Sequence, residues 1–85
     1  MIARRLIAAR EALGMSKAEM ADTLGLDRSS YTKIEKGTKP LLPRDAYRLW
    51  HLYGVDLNFI YLGQLGGLPV NLSNKVTSHL KGEHV

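Results

Sequence analysis

Apolar residues recur at intervals of three and four along most of the chain, a spacing that predicts amphipathic α-helices. The first predicted helix runs from about Ile2 to Leu13. Its inward side carries Leu6, Ala9 and Leu13, and Gly14 ends it. The pattern as a whole predicts an all-α fold.

Residues 16–37 predict two short helices joined by a tight turn. Ser16 precedes Glu19 by three residues, the spacing of a capping box in which each side chain binds the other's backbone amide. Gly25 can end the first helix because it takes a positive φ without steric penalty. Asp27 can cap the next helix at once. With so little chain between them, the two helices are expected to cross at a steep angle.

The second helix of this pair has an apolar and a polar side. Tyr31 and Ile34 lie three residues apart and are predicted to face the core, with the Tyr31 hydroxyl at the surface. The other positions are polar: Arg28, Ser29, Ser30, Thr32, Lys33 and Lys36. A helix with Arg and Ser in its first turn suits a DNA major groove. An ordinary solvated surface helix has the same pattern, so both interpretations stay open.

Two further helices are predicted downstream. The fourth begins near Pro43, whose fixed φ suits a first helical position, and Gly54 ends it. Its predicted core stripe consists of Ala46, Leu49, Trp50 and Tyr53. Asp56 can cap a short fifth helix that contains Leu57, Ile60 and Tyr61. The glycines from Gly63 onward indicate a flexible break, which predicts a domain over residues 1–65 and a C-terminal tail over residues 66–85.

The tail has two interpretations. Val70 and Leu72 alternate with polar residues as in a short strand or arm, and Ser73 can cap a short helix that contains Val76 and Leu80. Neither piece would be stable alone. A frayed tail and a dimerisation arm therefore remain equally open.

The run from about Leu6 to Leu62 resembles the helix-turn-helix domain of the phage-repressor and Cro-like family, also called the xenobiotic-response-element family. The matching residues are Leu6, Ala9, Arg10, Ser16, Met20, Ala21, Leu24, Gly25, Ile34, Glu35, Gly37, Tyr53, Gly54, Val55 and Ile60. The resemblance implies a compact five-helix repressor-like DNA-binding domain. It also implies a sequence-specific transcriptional regulator, a repressor, that acts as a dimer on paired half-sites of a double-stranded DNA operator.

In a helix-turn-helix, the first turn of the second motif helix meets base edges. The predicted base contacts are therefore Arg28, Ser29, Thr32 and Lys33. The predicted phosphate contacts are Lys17, Ser30, Lys36, Thr38, Lys39, Arg10 and Arg44, although Arg44 equally fits a solvated helix start. In the family, the positions of Arg10 and Glu35 often form an ion pair, so a structural pair is expected here too.

The formal net charge is +4, and the whole excess lies within residues 1–48, which include the two-helix motif. This distribution suits a phosphate partner, although four charges also fit an ordinary solvated surface. The chain has no cysteine, which excludes disulfides and thiolate metal sites and fits a reducing cytoplasm. The apolar run at residues 6–9 is too short for a signal peptide, and no segment approaches a membrane span.

No enzyme activity, cofactor or metal site is expected. His51, His79 and His84 lack ligand-like spacing with acidic residues, and Ser29 and Ser30 have no neighbouring histidine. Two functions remain open: a DNA-binding regulator, or an antitoxin-like or adaptor module that holds a protein partner through its tail. A homodimer is expected, with its contact among the apolar residues left outside the five-helix core: Leu57, Tyr61, Val70, Leu72, Val76 and Leu80.

Overall fold

The computed structural model describes residues 2–81, and the regular elements within this range are six helices. They are α1 (Ile2–Ala12), α2 (Lys17–Leu24), α3 (Arg28–Glu35), α4 (Pro43–Tyr53), α5 (Leu57–Leu62) and α6 (Val70–Lys81). The all-α prediction is confirmed, and the five predicted helices correspond to α1–α5. None of the described helices is long and apolar enough to cross a membrane.

The corner between α2 and α3 is built from local hydrogen bonds. Ser16 Oγ accepts from the Glu19 amide at 3.1 Å, and Glu19 Oε1 accepts from the Ser16 amide at 2.8 Å. Gly25 then takes a left-handed conformation with φ 69°, and Asp27 Oδ1 accepts from the Ser30 amide at 2.6 Å. The bonds from these backbone amides hold the pKa of Glu19 and Asp27 below their ordinary values.

Helix α1 lies against α3, α5 and α6 and so forms the centre of the core. The largest fully buried side chains come from every part of the chain: Tyr31, Phe59, Leu6, Met20, Leu49, Ile60, Val55 and Val76. In α5 the core residues are Phe59 and Ile60, whereas Leu57 is exposed, as predicted for a residue outside the five-helix core.

The prediction that Trp50 belongs to the core stripe of α4 is wrong, since this residue is 49% exposed. The buried side of α4 contains Asp45, Ala46 and Leu49, with Tyr53 partly buried. Successive residues of a helix are about 100° apart. Because the buried stripe is displaced towards Asp45, the ring of Trp50 falls beyond the opposite edge of the stripe.

The predictions of a frayed tail and of a strand-like arm are both wrong for residues 70–80. These residues belong to the regular helix α6, which packs against α1. The predicted short helix with Val76 and Leu80 is present, but it begins at Val70, so Ser73 lies inside it and does not cap it. Leu68, Leu72 and Val76 are buried in the same core as α1–α5, so the boundary predicted at residue 65 does not separate a tail from that core. Residues 82–85 lie outside the described range.

The dimerisation role assigned to Leu72 and Val76 is therefore corrected, because both residues are used inside the chain. Leu80 is partly buried against the same core, whereas Val70 is exposed. The glycine-rich segment between α5 and α6 allows the chain to turn back so that α6 packs on α1. A Cβ on Gly67 would lie 2.5 Å from Asp56 Oδ2, so a larger residue at this position would force the Asp56 carboxylate to move.

Candidate nucleic-acid interface

Helix α3 turns one polar side towards solvent. Arg28, Ser29 and Lys33 are exposed and Thr32 is partly exposed, while Tyr31 and Ile34 are buried. At about 100° per residue the four polar positions span an arc of about 140°. The structure thus brings all four predicted base-contact residues onto one accessible side of α3, from its first turn to Lys33 in its last turn.

The side chain of Arg28 is held only loosely. Its Nη2 atom lies 4.0 Å from Asp22 Oδ2, and both side chains are more than two-thirds exposed. Exposed pairs of this kind are worth about 0–1 kcal/mol, so a base or phosphate can displace Asp22 at little cost. Thr32 is more constrained, because its hydroxyl donates to the carbonyl oxygen of Arg28 at 2.8 Å.

The loop after α3 places basic and hydroxyl groups beside this surface. Gly37 takes φ 80°, and the chain then turns back along the helix. Lys39 Nζ donates to Ser30 Oγ at 3.0 Å, and Thr38 Oγ1 donates to the Lys33 carbonyl oxygen at 3.2 Å. Four predicted phosphate contacts, Ser30, Lys36, Thr38 and Lys39, are therefore adjacent to the base-contact side.

The other predicted phosphate contacts are placed differently. Lys17 is exposed at the start of α2, with Nζ 3.9 Å from Glu35 Oε1. Arg44 is exposed on α4, where Nε lies 3.9 Å from Asp45 Oδ1, and it lines a small cleft with Leu24 and Gly25 at the α2–α3 turn. Arg10 is only 11% exposed and has its donors directed inward, which leaves it the least accessible of the predicted phosphate contacts.

A buried polar cluster joins the end of α3 to α1. Arg10 Nε lies 2.7 Å from Glu35 Oε2, the arrangement expected of a structural ion pair, and Arg10 Nη1 donates to the Met15 carbonyl oxygen at 2.9 Å. The Tyr31 hydroxyl donates to the same Glu35 oxygen. The prediction that this hydroxyl reaches the surface is wrong, because Tyr31 is fully buried and the nearest acceptor is the Glu35 carboxylate.

The electrostatics of this cluster follow from burial and the Glu35 charge. Burial raises the pKa of Tyr31 well above its ordinary value, and the hydrogen bond to Glu35 raises it further. For Arg10, burial alone lowers the pKa, but the hydrogen bond and charge of Glu35 outweigh it and raise the pKa. The cluster therefore consists of a neutral Tyr31 and the Arg10–Glu35 ion pair, which together hold the C-terminal end of α3 on α1.

Sequence reasoning did not single out Arg48. Its Nη1 atom donates to the Thr23 carbonyl oxygen at 3.4 Å and so joins α4 to the end of α2. The available signal was its spacing of four from Arg44, which places both arginines on one side of a helix. No cluster of three or more His, Cys, Asp or Glu side chains suited to a metal ion occurs among residues 2–81.

A family model described as a helix-turn-helix domain matches residues 3–66. No curated protein and no solved structure matches the chain. The matched range includes the two-helix motif and the whole of α4 and α5, and it ends before α6. The packing of α6 on α1 is thus outside the part of the chain that the family model covers.

Proposed function

Because the chain belongs to the helix-turn-helix domain family, we propose that it regulates transcription by binding specific sequences of duplex DNA. The finer proposal is a cytoplasmic, non-enzymatic repressor of the phage-repressor and Cro-like type that acts as a homodimer. The observation that carries the proposal is the exposed first turn of α3, with Arg28 and Ser29 accessible and basic loop residues beside them.

In the proposed complex, α3 lies in the major groove. Arg28 can donate two hydrogen bonds to O6 and N7 of a guanine, which is the commonest specific contact of an arginine with a base. Ser29 is permissive about its partner, and Lys33 and Thr32 reach the next base pairs. Lys17, Lys36 and Lys39, with the hydroxyls of Ser30 and Thr38, hold the phosphates on either side and fix the register of the helix.

The proposed dimer contact lies on α5. Leu57 is exposed and Leu62 is 64% exposed, although both are large apolar residues. Tyr61 is partly buried between them, with its hydroxyl 3.3 Å from the Leu41 carbonyl oxygen. We propose that a second copy covers this surface and that the dimer reads two half-sites one DNA turn apart, about 34 Å, the spacing typical of helix-turn-helix dimers.

The alternative function, an antitoxin-like or adaptor module, needs a tail that offers an apolar surface to a protein partner. The burial of Leu72 and Val76 removes most of that surface, since both residues already pack inside the chain. This observation favours DNA binding over a tail-mediated interaction.

Selection of bound sequences from a random duplex pool tests the proposal. The wild-type protein is expected to enrich a motif of two related half-sites. Arg28→Ala should relax the preference at one base pair of each half-site, at a cost of about 1–3 kcal/mol, because a bidentate base contact discriminates between bases. Lys39→Ala is the matched control, since loss of a phosphate contact should weaken all sequences alike.

The absence of any enriched motif at low salt would contradict the proposal, and an unchanged motif for Arg28→Ala would refute the assignment of this residue. Sedimentation tests the dimer. Leu57→Asp should give a monomer, whereas Val70→Asp, at an exposed apolar position of α6, should not change the oligomeric state. A dimer that persists in Leu57→Asp would exclude α5 as the contact.

A further inference from the structure

The outward side of α4 carries aromatic and basic residues that neither the core nor the proposed base contacts use. We call it the aromatic–basic face; it consists of Arg44, Tyr47, Arg48, Trp50, His51 and Leu52. Tyr47, Trp50 and Leu52 are each about half exposed. Aromatic residues in such a position are typical of protein contact sites, because burying them on binding is strongly favourable.

The rings of this face are arranged side by side. The ring centroids of Tyr47 and Trp50 are 5.6 Å apart, and those of Tyr47 and His51 are 5.9 Å apart with the planes nearly parallel at 10°. Beside them, Leu52 and Thr23 help to line an open cleft of about 540 Å³. The face therefore combines an exposed aromatic surface with an adjoining cleft that can take a side chain.

The exposed charges of the face are those of two arginines. Arg44 and Arg48 are exposed, whereas Asp45, whose Oδ1 lies 3.9 Å from Arg44 Nε, is buried. Arg48 reaches across the cleft to the Thr23 carbonyl oxygen and uses one N–H of its guanidinium for that bond. The guanidinium has further N–H donors, which suit a carboxylate in bidentate geometry.

We propose that the aromatic–basic face docks an acidic amphipathic segment of another protein. Carboxylates of that segment would pair with Arg44 and Arg48, and an apolar side chain would enter the cleft beside Tyr47. Arginine, tyrosine and tryptophan are the residues that most often dominate binding energy at protein interfaces. The composition of the face thus fits a protein partner of opposite charge.

A second copy of this chain fits the face less well, because two such faces would bring arginines together in a desolvated contact. Duplex DNA also fits less well. Its phosphates could meet the arginines, but its bases are stacked inside the duplex and leave the exposed rings without an apolar partner. Of the residues of this face, only Arg44 is among the phosphate contacts predicted from the sequence, so most of the face is left for an acidic partner when α3 lies on DNA.

Trp50 provides a direct test because it is the single tryptophan of the chain. The probe is a synthetic helical peptide with Leu and Phe at i, i+3, i+4 and i+7 and Glu or Asp elsewhere; the control peptide has Lys at every acidic position. The acidic peptide is expected to shift the Trp50 emission to the blue in a saturable titration, and the basic peptide to leave it unchanged. Added salt should weaken the binding.

Variants locate the contact. Tyr47→Ala and Arg48→Gln should each weaken binding of the acidic peptide by about tenfold or more. Val70→Ala is the matched control, since it removes an exposed apolar residue on α6, outside both the aromatic–basic face and the proposed dimer contact, and should have no effect. Thermal unfolding of each variant shows whether the fold is kept. If either variant of the face fails to fold, Leu52→Ser, also at an exposed position, replaces it.

The proposal is overturned if the acidic peptide gives no shift up to about 1 mM, a limit that corresponds to about −4 kcal/mol of binding. Equal binding of the basic peptide would also overturn it. A shift that depends only on protein concentration would assign the face to a second copy, and a shift produced only by duplex DNA would assign it to DNA. Tyr47→Ala should still select the wild-type DNA motif, so this test and that of the proposed function can fail separately.

Discussion

Replacing Arg10 by methionine is expected to destabilise the protein by about 3–5 kcal/mol, the cost of leaving a buried charge without its partner. The charge left behind is that of Glu35, whose side chain is only 4% exposed. Lys17 replaces Arg10 poorly, because its Nζ atom is 3.9 Å from the other carboxylate oxygen and its own side chain is 58% exposed. The Tyr31 hydroxyl would remain as the one buried donor to Glu35 described for this site.

This loss is large relative to the whole stability. At about 0.05–0.15 kcal/mol per residue, a chain of 85 residues is stable by about 4–13 kcal/mol. The midpoint of thermal unfolding should fall by more than about 12 °C, at about 4–8 °C per kcal/mol for a domain of this size. Urea unfolding followed by circular dichroism measures the free energy directly.

A double variant identifies the cause. Arg10→Met with Glu35→Gln removes the buried charge but keeps an acceptor for the Tyr31 hydroxyl, so it should recover much of the stability that Arg10→Met alone loses. Arg28→Met is the matched control, because its pair with Asp22 is exposed, and it should change stability by less than about 1 kcal/mol. A loss below about 1 kcal/mol in Arg10→Met, or no recovery in the double variant, would refute the reasoning.

Three further predictions concern pH, salt and the C-terminal helix. The pKa of Tyr31 is raised on folding, so the contribution of this group to the free energy of unfolding is complete below the unfolded pKa of about 10 and is lost as the pH rises further. Tyr31→Phe should flatten this alkaline decline of the free energy measured by urea unfolding. An equal decline in both proteins would contradict the prediction. With about four to six phosphates neutralised per monomer, log K should fall against log salt with a slope of about −3.6 to −5.4 per bound monomer. Lys39→Ala should reduce the size of this slope by about one per monomer, and a slope near zero would exclude binding through phosphates. Deleting residues 68–85 removes three buried apolar side chains, and the burial of each is worth about 1.5–3 kcal/mol. The deletion should therefore abolish cooperative thermal unfolding. A truncated protein with the wild-type midpoint would contradict the role of α6 in the core.

The two-helix motif could be predicted from the sequence because its signals are local. Ser16 and Glu19 satisfy each other's amides within one turn, and Gly25 and Asp27 end one helix and begin the next within three residues. None of these interactions depends on a distant part of the chain. The exposed side of α3 was predictable for the same reason, since its polar residues follow from helical periodicity alone.

The position of α6 could not be predicted in the same way, because it depends on a surface of α1 that is distant along the chain. Val70 and Leu72 alternate as in a strand, but the apolar set that packs is Leu72, Val76 and Leu80, at intervals of four. Considered from the sequence alone, the glycines before α6 predict a flexible boundary between a domain and a tail. In the structure, Gly67 instead allows the chain to pass close to Asp56 and return to the core.

The role of Tyr31 was missed for a related reason, and it connects the core to the proposed DNA contacts. From the sequence, a tyrosine at this position is predicted to be a core residue with its hydroxyl at the surface. The structure shows instead that the hydroxyl donates to the buried Glu35 carboxylate. Helix α1 packs against α6 and also carries Arg10, which binds Glu35 at the end of α3. Helix α3 therefore has its first turn in the proposed DNA contact and its C-terminal end bound to α1. Through α1, the position of α3 depends on the packing of α6, although α6 makes no proposed base contact.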